Sequence, residues 1–377
     1  MNGGIMDWQT IFRNNVTTAQ ELRDLLKLSQ EEFEHIRDEA QLFPMSVTRY
    51  YLSLIDPEDP EDPIRKMSVP SGRFVLQDGE LDTSGEQSNT KIRGLQHKYK
   101  ETVLVLTTST CAMYCRHCFR RRLVGTQTEE STGDVDSVAA YIKDHPEVTN
   151  VLLSGGDAFM LPTEKIQEWL DKLTVLDQLD FIRFGSRTPV TFPQRILEDD
   201  ELCRTIERYS RRRQIYVVTH FNHPKELTAE SREAIKRLQK AGAVVKNQTV
   251  LLRGVNDDPD ILGELLRKLT ANGMAAHYIF QCRPVKGVKS LFQVPLGRGL
   301  EIVQKANNMQ NGLGKPADYT MSHVTGKIRI LGKQEDGKLI FQYKQAKNRE
   351  VIGRLFAGDA AEQKWLPDEI EGCFSPL

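Results

Sequence analysis

Apolar and polar positions follow two repeating patterns through the middle of the chain. Short apolar runs rich in β-branched residues predict strands, and amphipathic stretches between them predict helices. This alternation indicates βα units, and therefore an α/β fold with a parallel sheet. The predicted strands are Val103–Thr107, Val151–Leu153, Phe181–Phe184, Ile215–Thr219, Val244–Leu252 and Tyr278–Phe280. The predicted helices are Val135–Ile142, Thr163–Leu173, Glu226–Gln239 and Ile261–Leu269.

The residues that directly follow the predicted strands are rich in chemically active groups. Parallel strands of a barrel end at one face, where the following loops build the active site. No Gly-x-Gly-x-x-Gly motif follows the first strand, so a partial (β/α)6-type TIM barrel is favoured over an open nucleotide-binding sheet. We therefore expect one site to form from the loops that begin at Cys111, Ser154, Gly185, His220 and Gln281.

Two segments flank the predicted barrel. Residues 17–40 carry apolar positions at helical spacing, with Thr and Ser as caps. The proline-rich run 56–63 is expected to lack regular structure, and the polar stretch 77–90 is expected to be an exposed loop. The predicted divisions are a helical N-terminal extension (1–95), a barrel core (96–310) and a short C-terminal segment of β and irregular structure (311–377).

The composition describes a globular chain and argues against several classes of function. Lys and Arg number 51 against 52 Asp and Glu, so the net charge of −1 gives no global electrostatic reason to bind nucleic acid. No apolar run reaches the roughly 20 residues needed to span a bilayer, and residues 1–15 lack the layout of a secretory signal. Six cysteines are too few for a disulfide scaffold. We therefore expect a cytoplasmic protein with neither membrane nor nucleic acid as a partner.

Three of the cysteines form a cluster, Cys111-x3-Cys115-x2-Cys118, after the first predicted strand. Thiolates are soft ligands that suit zinc or an iron–sulfur cluster. A structural zinc needs four ligands, and the other cysteines are isolated, so a zinc knuckle lacks its second ligand pair. Three thiolates on a [4Fe–4S] cluster leave one iron free to bind a cofactor or a substrate. The spacing favours the iron–sulfur interpretation, with a zinc knuckle as the alternative.

The C-x3-C-x2-C pattern after an early barrel strand resembles the signature of the radical S-adenosylmethionine (SAM) enzymes. The resemblance implies that the open iron binds SAM, whose reductive cleavage releases a 5′-deoxyadenosyl radical. The sequence SGGD at 154–157 resembles the glycine-rich turn that supports the methionine part of SAM in that superfamily. Gly155, Gly156 and Asp157 are therefore predicted SAM-binding residues, since glycine permits close approach of the backbone to a ligand.

Over most of its length, the sequence also resembles the lysine 2,3-aminomutase family. The resemblance implies that the chain combines the SAM radical with pyridoxal 5′-phosphate (PLP) to move an amino group between the α- and β-carbons of an amino acid. PLP holds the migrating amine and delocalises the adjacent radical. The segments that carry the resemblance are YYLSLIDP at 50–57, YCRHCFRRR at 114–122, LLSGGDA at 152–158, GSRTPVTFPQR at 185–195, THFNHP at 219–224 and LLRGVND at 251–257.

The same resemblance implies roles for individual residues. Lys327, in TGKIRIL at 325–331, is the predicted lysine that binds PLP, and Lys315 is the alternative. Arg120 matches the arginine that grips the substrate α-carboxylate, unless it belongs to a solvated run of charge at 120–122. The remaining predicted cofactor contacts are His220 and Gln248 near SAM, and His97, Lys98 and Tyr99 in a cofactor-contacting segment.

Two positions depart from the pattern of lysine aminomutases. Arg283 stands where that pattern has an Asp after Gln-Cys, and Ser322 or His323 stands where it has a second Asp. A guanidinium in a closed pocket repels a lysine ammonium and attracts an anion, and glutamate-acting relatives also carry a basic residue at the first position. The hypothesis is a substrate with a side-chain carboxylate, such as glutamate. The alternative is that Arg283 pairs with a protein carboxylate or a phosphate and selects no substrate.

Further departures concern the cofactors and zinc. Thr102 replaces a family arginine near PLP, which leaves Lys98, Lys100 and backbone amides as anchors for the phosphate. Asp258 replaces one cysteine of the structural zinc cluster of longer relatives, and Cys373 alone remains at the tail, so no structural zinc is expected. The resemblance also implies a homo-oligomer, a small amino-acid substrate and a reducing partner such as a flavodoxin or ferredoxin.

Two other functions stay open on the sequence alone. One keeps the radical chemistry but acts on lysine, either free or carried by a protein. The other is a metal-binding interaction module, in which the basic run after Cys118 contacts nucleic-acid phosphates. The near-zero net charge and the placement of the other motifs at strand ends argue against this module.

Overall fold

The computed structural model describes residues 7–71, 78–126, 129–315, 317–370 and 374–376. Within these residues, one sheet contains thirteen strands in the same order as they occur along the chain. The strands are β1 Thr90–Ile92, β2 Leu95–Tyr99, β3 Thr102–Thr108, β4 Asn150–Gly155, β5 Phe181–Gly185, β6 Gln214–Thr219, β7 Val244–Leu251, β8 Ala275–Gln281, β9 Asp318–Ser322, β10 Gly326–Lys333, β11 Leu339–Ala346, β12 Leu355–Gly358 and β13 Ser375–Pro376.

All six predicted strands are confirmed, as β3 to β8, and their pairing is parallel as expected. β9 pairs in parallel with β8 and so adds a seventh strand to this run. The strands on either side, β1 to β3 and β9 to β13, pair antiparallel. The fold is therefore mixed α/β with an open sheet.

The four predicted helices are confirmed as α7, α8, α12 and α13, and short helices fill much of the rest of the chain. α11 between β5 and β6 and α15 before β9 were not predicted. The helices are α1 Trp8–Arg13, α2 Ala19–Leu26, α3 Gln30–Leu42, α4 Arg49–Leu52, α5 Pro63–Ser68, α6 Glu86–Asn89, α7 Val135–Asp144, α8 Thr163–Leu173, α9 Thr188–Thr191, α10 Gln194–Leu197, α11 Asp200–Ser210, α12 Ala229–Lys240, α13 Pro259–Ala271, α14 Lys289–Phe292 and α15 Leu296–Asn308. None of the described helices is both long enough and apolar enough to span a bilayer.

The segment 17–40, predicted to be helical, contains α2 and most of α3. Lys27 adopts a left-handed conformation with φ of 51°, which ends α2. The predicted Thr and Ser caps are confirmed: Thr18 with Glu21, and Ser29 with Glu32, each form a capping box in which side chain and backbone hydrogen-bond reciprocally.

Two expectations for the flanking loops were incomplete or wrong. The run 56–63 is irregular up to Asp62, but Pro63 opens α5 because proline suits the first position of a helix. The stretch 77–90 is not simply an exposed loop: Gln77 lies outside the described residues, but α6 lies in this stretch and its Glu86 is buried at 6% exposure. Pairing with arginines allows this charged residue to be buried.

The two faces of the parallel strands have different surroundings. Val103 and Val105 of β3 pair in register with Val151 and Leu153 of β4, and all four side chains are fully buried in the apolar core. Burial of each such side chain contributes about 1.5–3 kcal/mol. Alternate residues, such as Leu104, point to the other face and line a cavity. The sheet therefore has a core face and a cavity face.

Candidate active site

A cavity of about 530 Å³ is lined by residues from β2 to β11 and from the loops after the parallel strands. This size suits a small-molecule site. Thirteen of the residues predicted from the sequence line it: Lys98, Tyr99, Cys111, Cys115, Cys118, Arg120, Gly155, Gly156, Asp157, His220, Gln248, Arg283 and Lys327. His97, which was predicted to contact a cofactor, does not line this cavity. The fold thus brings together groups that are up to 229 positions apart, from Lys98 to Lys327.

The glycine-rich turn after β4 packs against the backbone at the end of β3 and at the start of the following loop. This loop, residues 109–118, carries the three cysteines and is called the cysteine loop below. Gly155 has φ of 124°, and a Cβ at this position would lie 2.2 Å from the carbonyl oxygen of Thr108. A Cβ on Gly156 would lie 2.3 Å from the carbonyl oxygen of Thr110. Both glycines are therefore required by the close approach of two backbones, whatever ligand the turn contacts.

The N-terminal extension holds the cysteine loop from another side. The backbone amides of Tyr114 and Arg116 donate hydrogen bonds to the carbonyl oxygens of Ser46, at 2.9 Å, and Met67, at 3.0 Å. The guanidinium of Arg116 also pairs with the buried carboxylate of Glu39 at 3.2 Å. These contacts make the extension part of the scaffold of the site.

The cysteine sulfurs receive hydrogen bonds from two arginines. Arg187 Nη1 donates to the sulfur of Cys115 at 2.7 Å, and the backbone amide of Arg120 donates to the sulfur of Cys118 at 3.3 Å. Burial raises the pKa of all three thiols, that of Cys118 to about 11. Metal binding displaces these protons, and donors of this kind then stabilise the thiolates.

The spacing of the sulfurs argues against a single metal ion. The sulfurs of the three cysteines do not all lie within 4.8 Å of one another. Among the described residues, only His97, His145 and Glu147 bring three ligand atoms that close together. Sulfurs that share one tetrahedral zinc lie about 3.8 Å apart. At least two of the three sulfurs therefore lie more than 4.8 Å apart, which is compatible with a multi-iron cluster in which each thiolate holds a different iron.

Arg187 connects the cysteine loop to the segment after β6, and the sequence placed it in the expected site loop after β5 without assigning it a role. Besides Cys115, it donates to Glu226 at 2.6 Å and to the carbonyl oxygen of His220 at 3.0 Å. Glu226 is fully buried and also accepts a hydrogen bond from Tyr51 at 2.6 Å. The Gly-Ser-Arg sequence after β5 was the available signal for this residue.

Arg120 is a buried site residue and does not belong to a solvated run. Its Nε donates to Glu86 at 2.8 Å and its Nη1 donates to the hydroxyl of Ser154 at 3.0 Å. The side chains of Arg121 and Arg122 are each only 9% exposed, so the alternative of a solvated charge run is wrong. Burial would raise the pKa of Glu86, but Arg120 and Arg283 outweigh it and lower that pKa.

Arg283 faces the cavity without an ion-pair partner among the described residues. Its Nη2 donates to the hydroxyl of Ser322 at 2.8 Å, and the guanidinium lies 4.5 Å from the centre of the Phe119 ring. Its buried Nη1 has no hydrogen-bond partner in the described part of the chain. Ser322, the last residue of β9, lines the cavity, whereas His323 does not.

Lys327 lies in the cavity near two tyrosine rings. Its Nζ is 5.9 Å from the ring centre of Tyr99 and 4.8 Å from that of Tyr278. Burial, and then the nearby cation of Arg183, lowers its pKa to about 7. Lys315 is exposed and does not line this cavity.

Two further basic residues, Lys98 and Arg183, lie near Lys327. Lys98 donates to the carbonyl oxygen of His323 at 2.8 Å, and burial lowers its pKa to about 7. Arg183, which the sequence did not indicate, shares the side-chain oxygen of Asn150 with Thr102, at 2.6 Å and 3.2 Å. The Nε of Arg183 has no partner among the described residues.

The lining of the cavity carries more positive than negative side chains. Burial lowers the pKa of the lining His220 to about 4, so it stays neutral near pH 7. A cavity with an excess of cations attracts anionic ligands. The six basic side chains are Lys98, Arg120, Arg183, Arg187, Arg283 and Lys327, against the two carboxylates Glu86 and Asp157.

The chain is similar to known proteins over most of its length. Residues 105–265 match the radical SAM superfamily. The chain is 36% identical to a protein of Aquifex aeolicus named "Putative L-lysine 2,3-aminomutase", over 93% of this chain and 94% of that protein. It is 38% identical to L-lysine 2,3-aminomutase of Clostridium subterminale, over 82% of this chain and 74% of that enzyme. It is also 36% identical to glutamate 2,3-aminomutase of Clostridioides difficile, over 84% of this chain and 75% of that enzyme.

Membership of the superfamily implies a [4Fe–4S] cluster and SAM, and the cysteine loop has the ligands for that cluster. The similarity extends over the sheet and its flanking segments, far beyond the cysteine motif. The chain therefore belongs to the lysine 2,3-aminomutase family of radical SAM isomerases.

Proposed function

We propose that this enzyme is a PLP-dependent amino-acid 2,3-aminomutase whose substrate has a side-chain carboxylate, glutamate being the simplest candidate. The observation that carries the substrate class is the guanidinium of Arg283, which faces the cavity with no ion-pair partner among the described residues. A buried donor without a partner costs free energy, and an anionic group of the substrate would remove that cost. The ammonium of a lysine substrate would instead be repelled.

The residues of the cavity suit the two chemical tasks of such a reaction. When bound, the cluster and SAM supply a carbon-centred radical and PLP carries the migrating amino group. Cys111, Cys115 and Cys118 would hold the cluster, and the donors from Arg187 and Arg120 stabilise its thiolates.

Lys327 is the proposed PLP-binding lysine. A bond to an aldehyde requires a neutral amine, and a pKa of about 7 leaves a large fraction of this amine neutral at neutral pH. The exposed Lys315 lacks such an environment. For the phosphate of PLP, the cavity offers Lys98 and the free Nε of Arg183, whereas Lys100 is exposed and lies outside the lining.

Arg120 is the proposed ligand of the substrate α-carboxylate. Glu86 and Ser154 hold its guanidinium in one orientation, which presents a preorganised planar fork. With Arg120 and Arg283 both on the cavity wall, a dicarboxylic amino acid would have one cation for each carboxylate. His220 and Gln248 line the same cavity and are proposed SAM contacts, as are Gly155, Gly156 and Asp157.

We also infer that β3 to β8 curve into the partial (β/α)6 barrel, flanked by the extension 1–95 and the segment 311–377. The sequential strand order supports this inference, and so does a single cavity that touches strands as far apart in the sheet as β2 and β11. A flat sheet would hold these strands far apart, at nearly 5 Å per strand. We further propose that the enzyme forms a homo-oligomer and receives electrons from a flavodoxin or ferredoxin.

Substrate screening of the reconstituted enzyme tests the substrate class. With cluster, SAM, PLP and a chemical reductant, glutamate should yield its β-isomer and lysine should not. Arg283→Asp should lose turnover of glutamate, while Ser322→Ala, which keeps the guanidinium, should retain the preference for glutamate. Turnover of lysine by the unmutated enzyme would contradict the proposal.

A further inference from the structure

A second cluster of ligating side chains lies outside the cavity. His97 is on β2, whereas His145 and Glu147 lie on the connection between α7 and β4. Their ligand atoms all lie within 4.8 Å of one another, and the three residues are partly buried. We propose that His97, His145 and Glu147 bind one divalent transition-metal ion of the zinc type, which fastens β2 to the α7–β4 connection.

The hydrogen bonds of His97 leave one ring nitrogen suited to a metal. Its Nε2 lies 3.0 Å from the carbonyl oxygen of Lys100. A carbonyl only accepts, so Nε2 carries the hydrogen and Nδ1 carries the lone pair. A bond from one ring nitrogen to a backbone carbonyl is the usual way in which a metal-binding histidine is oriented. Nδ1 lies 3.0 Å from the hydroxyl of Tyr141, which an ion would displace.

The spacing of His145 and Glu147 is close to that of two ligands of one ion. His145 Nδ1 and Glu147 Oε1 are 3.1 Å apart. Nitrogen and oxygen ligands at about 2.0–2.1 Å from a tetrahedral zinc lie about 3.3 Å from each other. An ion can therefore replace the shared proton with little movement. The ring of Tyr141 stacks on His145 with centroids 4.1 Å apart and limits its rotation.

The donor set decides the class of ion. Two imidazoles and one carboxylate suit Zn²⁺ and its neighbours Co²⁺, Ni²⁺ and Cu²⁺, whereas Mg²⁺ and Ca²⁺ prefer oxygen ligands alone. Water would complete the coordination. This site differs from the cysteine zinc cluster of longer relatives, since it contains no thiolate and lies on different segments.

The location gives the site a consequence for the cavity. The residues next to His97 on β2 are Gln96 and Lys98, and both line the cavity, as does Tyr99. An ion bound on the opposite side of β2 would restrain this strand, and it would stabilise the folded state by binding it in preference to the unfolded chain.

Zinc titration of the enzyme with its iron–sulfur cluster assembled tests the proposal. A chromophoric chelator buffers the concentration of free Zn²⁺ under anaerobic conditions. The affinity of the enzyme for Zn²⁺ and its melting temperature are then measured. The wild type and His35→Ala, which removes an exposed histidine of α3, should bind one Zn²⁺ per chain and melt at a higher temperature with it. His145→Ala and Glu147→Gln should each lose at least tenfold in affinity and most of the thermal shift.

Co²⁺ distinguishes this site from the cysteine loop. Cobalt at the proposed site should show visible ligand-field bands without the intense thiolate charge-transfer band. Equal zinc affinity in His145→Ala and His35→Ala, or a thiolate band that accounts for all the bound cobalt, would overturn the proposal. If His145→Ala fails to fold, the nearly isosteric Glu147→Gln gives the same comparison.

Discussion

The amine of Lys327 should react with PLP at a rate that changes little between pH 7 and pH 9. Burial, followed by the cations of Arg183 and Lys344, lowers its pKa from 10.5 to about 7. At pH 7 about half of this amine is neutral, whereas about one in 3,000 molecules of an ordinary lysine is. Raising the pH from 7 to 9 therefore about doubles the neutral fraction of Lys327, but raises that of an ordinary lysine about a hundredfold.

The assay is stopped-flow absorbance of PLP mixed with the anaerobically prepared enzyme across this pH range. The rate of bond formation should reach half of its plateau near pH 7 and fall about tenfold per pH unit well below it. Lys315→Ala should keep this profile, and Lys327→Ala should abolish the spectral change. Borohydride reduction followed by peptide mapping should place the label on Lys327.

Two outcomes would refute this reasoning. A rate that climbs about a hundredfold between pH 7 and pH 9 would show that the amine behaves as an ordinary solvated lysine. A reduced label on Lys315 would show that the cavity does not supply the PLP-binding amine.

Two further predictions concern stability and are checked by urea unfolding. Arg187→Gln should lower the free energy of unfolding by about 3–5 kcal/mol, because it leaves the fully buried Glu226 without its cation. The double variant with Glu226→Gln should recover part of the loss. An unchanged unfolding midpoint in the single variant would contradict this prediction. Gly155→Ala should lower the free energy of unfolding by about 1–3 kcal/mol, because the new Cβ would lie 2.2 Å from the carbonyl oxygen of Thr108. Gly312→Ala should change it little, because a Cβ at that position has no atom within 4 Å. Equal losses in the two variants would contradict the close approach of the backbones at Gly155.

The parts of the fold with strong periodicity were predictable from the sequence. β3 to β8 and four of the helices between them follow directly from apolar runs and amphipathic stretches, because burial of one face fixes both patterns. The extra strand β9 was not found, since its five residues, DYTMS, contain no continuous apolar run. The end of α2 at Lys27 could not be located from the sequence, because a left-handed lysine carries no local signal.

Site residues that belong to a recognisable motif were predictable from the sequence. Residues whose hydrogen-bond or ion-pair partners lie far away in the sequence were not. The cysteine spacing and the residues at strand ends led to thirteen residues that share one cavity. Glu86 looked like part of a polar loop, because its partner Arg120 lies 34 positions away. Arg183 looked like an ordinary strand residue, and only the three-dimensional structure shows that it faces the cavity beside Asn150.

Cys111, Cys115 and Cys118 are expected to hold an iron–sulfur cluster with one iron free for SAM. Formation of 5′-deoxyadenosine by the anaerobically reconstituted enzyme, given SAM and a strong reductant, tests this expectation most directly. The wild type should produce this nucleoside, and Cys115→Ala, which removes the thiolate bonded to Arg187, should produce none. Absence of 5′-deoxyadenosine from wild-type protein that carries a full complement of iron and sulfide would contradict the account.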